Sequence, residues 1–172
     1  TDIRSMLTNL CNEKKFKSIF PPIEFCGDNA AMIALVGLEK YKLIELNNFG
    51  DEGFQQNERG TPTPCIGEVV IKVHAASLNF RDFMIAKGLY NPNIELPLVP
   101  LSDGAGEIVA VGNDVTEYNV GDRVTSVFWQ DWNANNSNRM VSTGSDAAGV
   151  LSEYAVLPKE AVLPIPEYMS YQ

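Results

Sequence analysis

The sequence predicts a mainly β chain, a barrel or sandwich with one short helix, preceded by a two-helix fragment. Three features predict it. From Tyr41 onward, strand-like runs alternate with turn residues at short intervals, as an all-β barrel or sandwich requires. One stretch of that region, Leu78 to about Lys87, reads as helix, and Gly88 follows it where a C-terminal cap sits. Before Tyr41 the apolar residues fall instead at helical spacing. With 172 residues, the chain has room for one domain with a real core, or a domain plus a fragment.

Taken in order, the first element is a helix. Ile3, Met6, Leu7, Leu10 and Cys11 form one apolar stripe at i, i+3, i+4, i+7 and i+8. Asp2 near its start and Lys14 and Lys15 near its end suit the helix dipole. Ser18-Ile19-Phe20 is a short extended run, halted by Pro21-Pro22, which continues neither helix nor ladder. Asp28 then stands where it caps a second helix, Asn29 to about Glu39. Ala30, Ala31, Met32, Ile33, Ala34, Leu35, Val36 and Leu38 make that helix apolar on nearly every side. Such a helix requires partners on all faces, and 40 residues alone do not supply them.

The run Pro21-Pro22-Ile23-Glu24-Phe25-Cys26-Gly27-Asp28-Asn29-Ala30-Ala31-Met32-Ile33-Ala34 closely resembles the C-terminal end of the tRNA threonylcarbamoyladenosine synthase family. The resemblance covers residues 1–40. It implies that the residue matching Asp28 is a metal ligand in that family, acting with two distant histidines. This chain has a single histidine, His74, outside the matching region. One carboxylate does not hold a transition metal against water, so Asp28 reads as a helix cap here.

The β-rich part follows. Its candidate strands are Tyr41–Leu46, Glu68–His74, Gly106–Val111, Arg123–Phe128 and Leu151–Leu157. Partial alternation over Glu68-Val69-Val70-Ile71-Lys72-Val73 fits a strand with one wetter face. Gly112-Asn113-Asp114 and Val120-Gly121-Asp122 tolerate the positive φ that tight turns need. Gly50 to Pro64, mixing Gly, Pro, Gln and Asn, reads as a loop or linker.

The motifs reach further than the periodicity. Pro62-Thr63-Pro64-Cys65-Ile66-Gly67-Glu68-Val69-Val70-Ile71-Lys72-Val73 comes first, then Ala75-Ala76-Ser77-Leu78-Asn79-Phe80-Arg81-Asp82. Gly104-Ala105-Gly106-Glu107-Ile108-Val109-Ala110-Val111-Gly112, Val120-Gly121-Asp122-Arg123-Val124 and Gly149-Val150-Leu151-Ser152-Glu153-Tyr154 follow in order. Together these resemble the catalytic domain of the medium-chain dehydrogenase/reductases, closest to the quinone-reductase-like, alcohol-dehydrogenase-like and enoyl-reductase members that dispense with zinc. The resemblance implies a GroES-like, partly open barrel over residues 41–172. It implies an NAD- or NADP-dependent oxidoreductase whose nucleotide-binding domain is missing here, so that the 172-residue chain alone is inactive. The substrates it implies are a carbonyl, alcohol, quinone or enoyl compound, and it is compatible with a homo-oligomer.

Residue types argue against zinc. Zinc members place a cysteine at Asn79 and a Gly-His-Glu triplet at Leu101-Ser102-Asp103. Neither Asn79 nor Ser102 offers thiolate or imidazole, and the cluster of four cysteines for structural zinc is absent. Hydride transfer must then use hydrogen-bond donors to polarise substrate. On the resemblance, Asn79 is the leading catalytic and cofactor-binding candidate, since its amide suits a nicotinamide carboxamide or a substrate carbonyl. Phe80 packs near the cofactor cleft. Arg81 suits either a cofactor pyrophosphate or an ion pair with Asp82 or another carboxylate, and the sequence does not choose. Asp82 orders the turn and helix. Tyr90, Phe128, Trp129 and Trp132 are pocket-lining candidates, although aromatic residues more often serve as core. His74 lies in a strand without a partner and reads as structural. Gly104-x-Gly106 leads into a strand with Val109 in place of a third glycine, so it is a turn and not a phosphate cradle.

Charge narrows the partners. Five basic residues before Tyr41 (Arg4, Lys14, Lys15, Lys17, Lys40) balance five acidic ones (Asp2, Glu13, Glu24, Asp28, Glu39), so the net charge of −9 belongs to residues 41–172. That surface repels phosphate backbones, which argues against nucleic acid as its partner. No apolar run reaches the roughly 20 residues of a membrane span, and no signal-peptide pattern follows Thr1. Cys11, Cys26 and Cys65 are widely spaced and odd in number, as reduced thiols of a cytoplasmic protein are. Two other readings stand beside the reductase: a remnant of a tRNA threonylcarbamoyladenosine-modifying protein, and a non-catalytic GroES-like module.

Overall fold

The structure, a computed structural model, describes residues 18–19, 35–36, 43–50, 53–57, 60–91, 93–131 and 140–171. Its strands are β1 (Ser18–Ile19), β2 (Leu35–Val36), β3 (Leu43–Leu46), β4 (Phe54–Asn57), β5 (Glu68–Ser77), β6 (Asp103–Val111), β7 (Arg123–Ser126), β8 (Tyr154–Pro158) and β9 (Val162–Pro164). Helix α1 (Phe80–Ala86) follows β5, and a 3-10 turn, Lys159–Ala161, joins β8 to β9.

The mainly β expectation holds, with three corrections. Leu35–Val36 is a strand, paired antiparallel with Ser18–Ile19, so the helix expected over Asn29 to Glu39 does not run through it. A short, continuously apolar run fits a buried strand as well as a buried helix, and periodicity does not separate the two. The first expected helix and the rest of the second lie outside the described residues. The stretch read as a linker contains β4, which pairs with β3 from Leu43↔Asn57 to Leu46↔Phe54. Lastly, the short strand β9 was not expected.

The main sheet is antiparallel, in the order β8-β5-β6-β7-β9. Its outer strands β8 and β9 do not pair, so the barrel is not closed. In a flat sheet, four strand spacings would separate them by about 19 Å. Pro158 and Val162 are only four residues apart in sequence and span at most about 14 Å. The sheet must therefore curl until its edges approach. The joining segment completes both ladders on its way across: Lys159 N–H donates to Gly67 O at 2.9 Å, and Val127 N–H to Ala161 O at 2.9 Å.

Inside the curl, Val69, Ile71, Val73, Ile108, Val124, Val150, Leu157 and Val162 form the core with Val99 and Leu101. A second, smaller cluster joins Ile85 of α1 to Leu46 of β3, Ile94 and Leu98. Helix α1 is thereby seated on the β3–β4 hairpin rather than on the main sheet. Its chain reverses at Gly88, whose φ is +70°.

The core above is drawn from Val69 onward, and every strand of the main sheet finds its neighbours within it. Deleting residues 1–38 is therefore expected to leave the domain folded, with near-ultraviolet circular dichroism retained and Tm changed by no more than a few degrees. Because β2 lies alongside β5, a fall larger than that would instead make the N-terminal segment part of the working fold.

Candidate functional site

Asn79 sits where β5 ends and α1 begins. Its backbone is extended, φ −113° and ψ 158°, as an N-cap requires. Asp82 secures it from the first turn of the helix: the Asn79 N–H donates to Asp82 Oδ2 at 2.8 Å, while the Asp82 N–H donates to Asn79 O at 3.0 Å. This is the ordering role expected of Asp82, now with its partners identified.

The Asn79 side chain turns the other way. Its Nδ2 donates to Asp103 Oδ2 at 2.5 Å, and Ser102 Oγ donates to the same oxygen at 2.6 Å. Register explains the meeting, because Ser77, two residues before Asn79, lies opposite Asp103 in the β5–β6 ladder. Buried Ser126 ties down the loop behind them. Its Oγ accepts from Gly104 N–H at 2.8 Å and donates to Ser102 O at 2.7 Å.

The approach to Ser102 is strained. Leu101 is buried and has φ +70°, a left-handed conformation that costs a side-chain-bearing residue about 1–2 kcal/mol. The surroundings hold it there: Gly149 N–H donates to Val99 O at 2.7 Å, Val150 N–H to Leu101 O at 3.0 Å and Leu151 N–H to Pro100 O at 3.1 Å. Gly149 permits this close strapping, since a Cβ there would lie 2.1 Å from Leu101 O.

Arg81 is spent inside the domain. Its guanidinium donates to Thr143 O at 2.9 Å and lies over the Phe128 ring, 4.6 Å from the centroid. Asp82 Oδ1 is 3.8 Å away. The pair is incompletely satisfied, with Arg81 Nη1 and Asp82 Oδ1 both buried and lacking hydrogen bonds. Burial lifts the Asp82 carboxyl above its ordinary value of 3.8, against the opposing pull of the Asn79 N–H and Arg81. As pH rises past 3.8, the unfolded chain releases this proton first, so Asp82 lowers stability from there up to its raised folded value.

Phe80 is 60% exposed and stacks on Phe83 at 5.9 Å between centroids. Tyr90 is exposed beside Arg81, whose guanidinium carbon lies 5.7 Å from the ring centroid. Phe128 and Trp129 meet edge to face at 4.5 Å. Trp132 lies outside the described residues. His74 is exposed on β5 and stacks with Tyr171 at 4.6 Å, far from an acid–base arrangement. A groove of about 580 Å³ lined by Ile94, Glu95, Leu98, Met140, Val141 and Asp146 includes none of the residues of the Asn79 cluster.

These donors do not fit zinc. Asn79 Nδ2 and Ser102 Oγ are both committed to Asp103, and among the described residues no three His, Cys, Asp or Glu side chains converge on one point. The sequence had flagged Ser102 and Asp103 only as an altered zinc triplet. The bond from Asn79 to Asp103 depends on strand register, for which the motif carries no signal.

Comparison with known proteins agrees with this architecture. The chain is 40% identical over 109 residues to a zinc-type alcohol dehydrogenase-like protein of Schizosaccharomyces pombe, covering 62% of this chain and 32% of that protein. It is 30% identical over 135 residues to a quinone oxidoreductase-like protein 2 homolog of Nematostella vectensis, covering 78% and 32%. The chain thus spans about a third of the length of each relative. The crystal structure of an NAD-dependent alcohol dehydrogenase superposes with a TM-score of 0.67 at 28% identity, covering 76% of this chain and 41% of that one. A separate stretch of 45 residues is 73% identical to the tRNA N6-adenosine threonylcarbamoyltransferase of Pelagibacter ubique, covering 26% of this chain and 13% of that protein. No helix among the described residues is long and apolar enough to cross a membrane. The family model of the alcohol dehydrogenase GroES-like domain matches residues 66–167, more than half of the chain and all five strands of the curled sheet, and the chain belongs to that family.

Proposed function

We propose that residues 41–172 form the substrate domain of a zinc-independent, NAD- or NADP-dependent oxidoreductase, one that moves hydride to or from a carbonyl, alcohol, quinone or enoyl substrate. Residues 1–40 are, in this reading, a segment derived from a tRNA threonylcarbamoyladenosine-modifying protein. The observation that carries the proposal is the fixed, half-buried amide of Asn79, followed directly by exposed Phe80. A nicotinamide cofactor supplies the hydride when bound by a nucleotide-binding domain. The chain's own residues orient and exclude water. Asn79 holds a carboxamide or a substrate carbonyl in place, and the exposed Phe80 ring packs beside the bound cofactor from the start of α1. Arg81 serves the packing of the domain, since its bonds within it favour the ion-pair role over a pyrophosphate contact. The substrate is a small molecule, and an acidic surface disfavours nucleic acid as a partner of this domain. Widely spaced, odd-numbered cysteines support a cytoplasmic location, and a homo-oligomer is compatible with the family.

The test joins residues 41–172 to the nucleotide-binding half of a relative and follows NAD(P)H oxidation with quinone, enoyl and carbonyl substrates. Turnover without stoichiometric zinc by elemental analysis is the expected result. One tightly held zinc per chain would overturn the metal-free reading. A correctly folded fusion that binds cofactor but turns over none of the three classes would leave a non-catalytic module.

A further inference from the structure

Among the described residues, the Asp103 carboxylate accepts from Asn79 Nδ2 and from Ser102 Oγ, while the Asn79 side chain also faces the Asp82 backbone N–H in the capping box that opens α1. We propose that Asp103 is the positioning residue of this site: with Ser102 holding it, its carboxylate sets which way the Asn79 amide faces. An asparagine amide has two ends of nearly equal shape, one accepting and one donating, and nothing in its own bonding selects between them. An ionised carboxylate only accepts. It therefore requires the NH₂ end, and Asn79 Oδ1 is forced to the opposite side. With one N–H of Nδ2 given to Asp103 and the oxygen end turned toward the Asp82 N–H of the capping box, the second N–H of Nδ2 is the donor left for the carbonyl of a ligand.

Each part of the arrangement is held independently. The Asn79 backbone is fixed by Asp82 and not by Asp103. Asp103 is fixed by the β5–β6 ladder opposite Ser77. Ser102 is delivered by the left-handed turn at Leu101 and tied through its carbonyl to Ser126. Strained backbone of this kind persists only where the surroundings over-determine it, and it gathers at binding and catalytic sites. A loop that merely connected Leu98 to β6 would have no need of it.

The inference rests on the proposed role of Asn79, but its test does not. In the 172-residue chain, nuclear magnetic resonance of ¹⁵N-labelled protein reads the Asn79 side-chain amide directly. A hydrogen bond to a charged acceptor should slow exchange of one Hδ2 proton about tenfold to a hundredfold relative to an exposed asparagine, with an enhanced shift difference between the two protons. Asp103→Ala, which removes the acceptor, should abolish this protection while the backbone amide spectrum of β5 and α1 is unchanged, and Ser102→Ala should weaken it. Asn79 protons that exchange like those of an exposed asparagine in the unsubstituted chain would overturn the proposal, whether or not the variants fold. So would protection that survives Asp103→Ala. In the fused enzyme, Asp103→Asn should mainly lower kcat, with cofactor KM raised less. A pinned amide together with an Asn79→Ala enzyme of unchanged turnover would uphold the positioning role and refute the reductase role of Asn79.

Discussion

Asn79→Ala, made in residues 41–172 joined to a nucleotide-binding domain, should reduce turnover by about 10²-fold or more, the loss typical of removing one preorganised donor from a developing charge. The effect should fall on kcat more than on KM, because an interaction made chiefly in the transition state leaves ground-state binding almost untouched. Folding should survive. The Asn79 backbone itself makes two bonds to Asp82 across the N-cap, and these remain when the side chain and its bond to Asp103 are removed. Stopped-flow measurement of hydride transfer, with Tm as control, separates the outcomes. An unchanged turnover number would place Asn79 among the structural residues and remove the main support for the reductase reading.

Gly106→Ala should cost about 3 kcal/mol or more, at the upper end of overpacking changes. A Cβ at this position would lie 2.1 Å from the Lys72 carbonyl oxygen and 3.1 Å from the Val73 Cα. Both are backbone atoms of β5, so no side chain can rotate away. Next to this contact the ladder is irregular: Val73 pairs with Gly106 and Ala75 with Ala105, leaving His74 unpaired between them in β5. The bulge brings the two backbones together, and only glycine permits it. A fall in Tm of about 10 °C or more is expected for a domain of this size. Calorimetry finding less than about 3 °C would mean that β5 and β6 can separate at the bulge without loss of the core.

Much of this architecture was legible because the strands that matter most carry their own signal. Glu68 to Val73 is β-branched and half-alternating, and it opens the longest strand. Turn residues at Asp114 and Gly121 do adopt the positive φ they were suited to. What escaped were elements whose stability is borrowed. β4 reads Phe-Gln-Gln-Asn, polar enough for a loop, and becomes a strand through its ladder with β3 and the bond from Asn57 Nδ2 to the Glu45 carboxylate. β9 is three residues ending in proline, acceptable only at an edge. Leu35–Val36 sits in a run whose apolar character suits helix and strand alike. The site divides the same way. A motif marked Asn79, Phe80 and Arg81, but it does not encode that Ser77 faces Asp103, and the hydrogen bonds of the site depend on that register. The sequence left a phosphate contact and an ion pair equally open for Arg81. Its burial against Phe128 and Thr143 comes from the loop after β7, far away in sequence.

The crossing from β8 to β9 also governs when this domain can fold. β5 has β6 on one side, available early, and β8 on the other, made by residues about ninety positions later. During synthesis the Val-Val-Ile stretch of β5 must wait with one edge unpaired, and that interval is the period of greatest exposure to aggregation. Closure then comes at a single moment. Once Tyr154 to Pro164 emerges, its two strands seal both sides of the sheet, and the three-residue turn between them lets neither slip without dragging the other. Contacts this distant in sequence make for slow folding, but they also make the last strap the natural point of quality control. A chain interrupted before Tyr154 would leave β5 and β7 each with an unpaired edge, and would meet the cell's proteases as an unfinished protein.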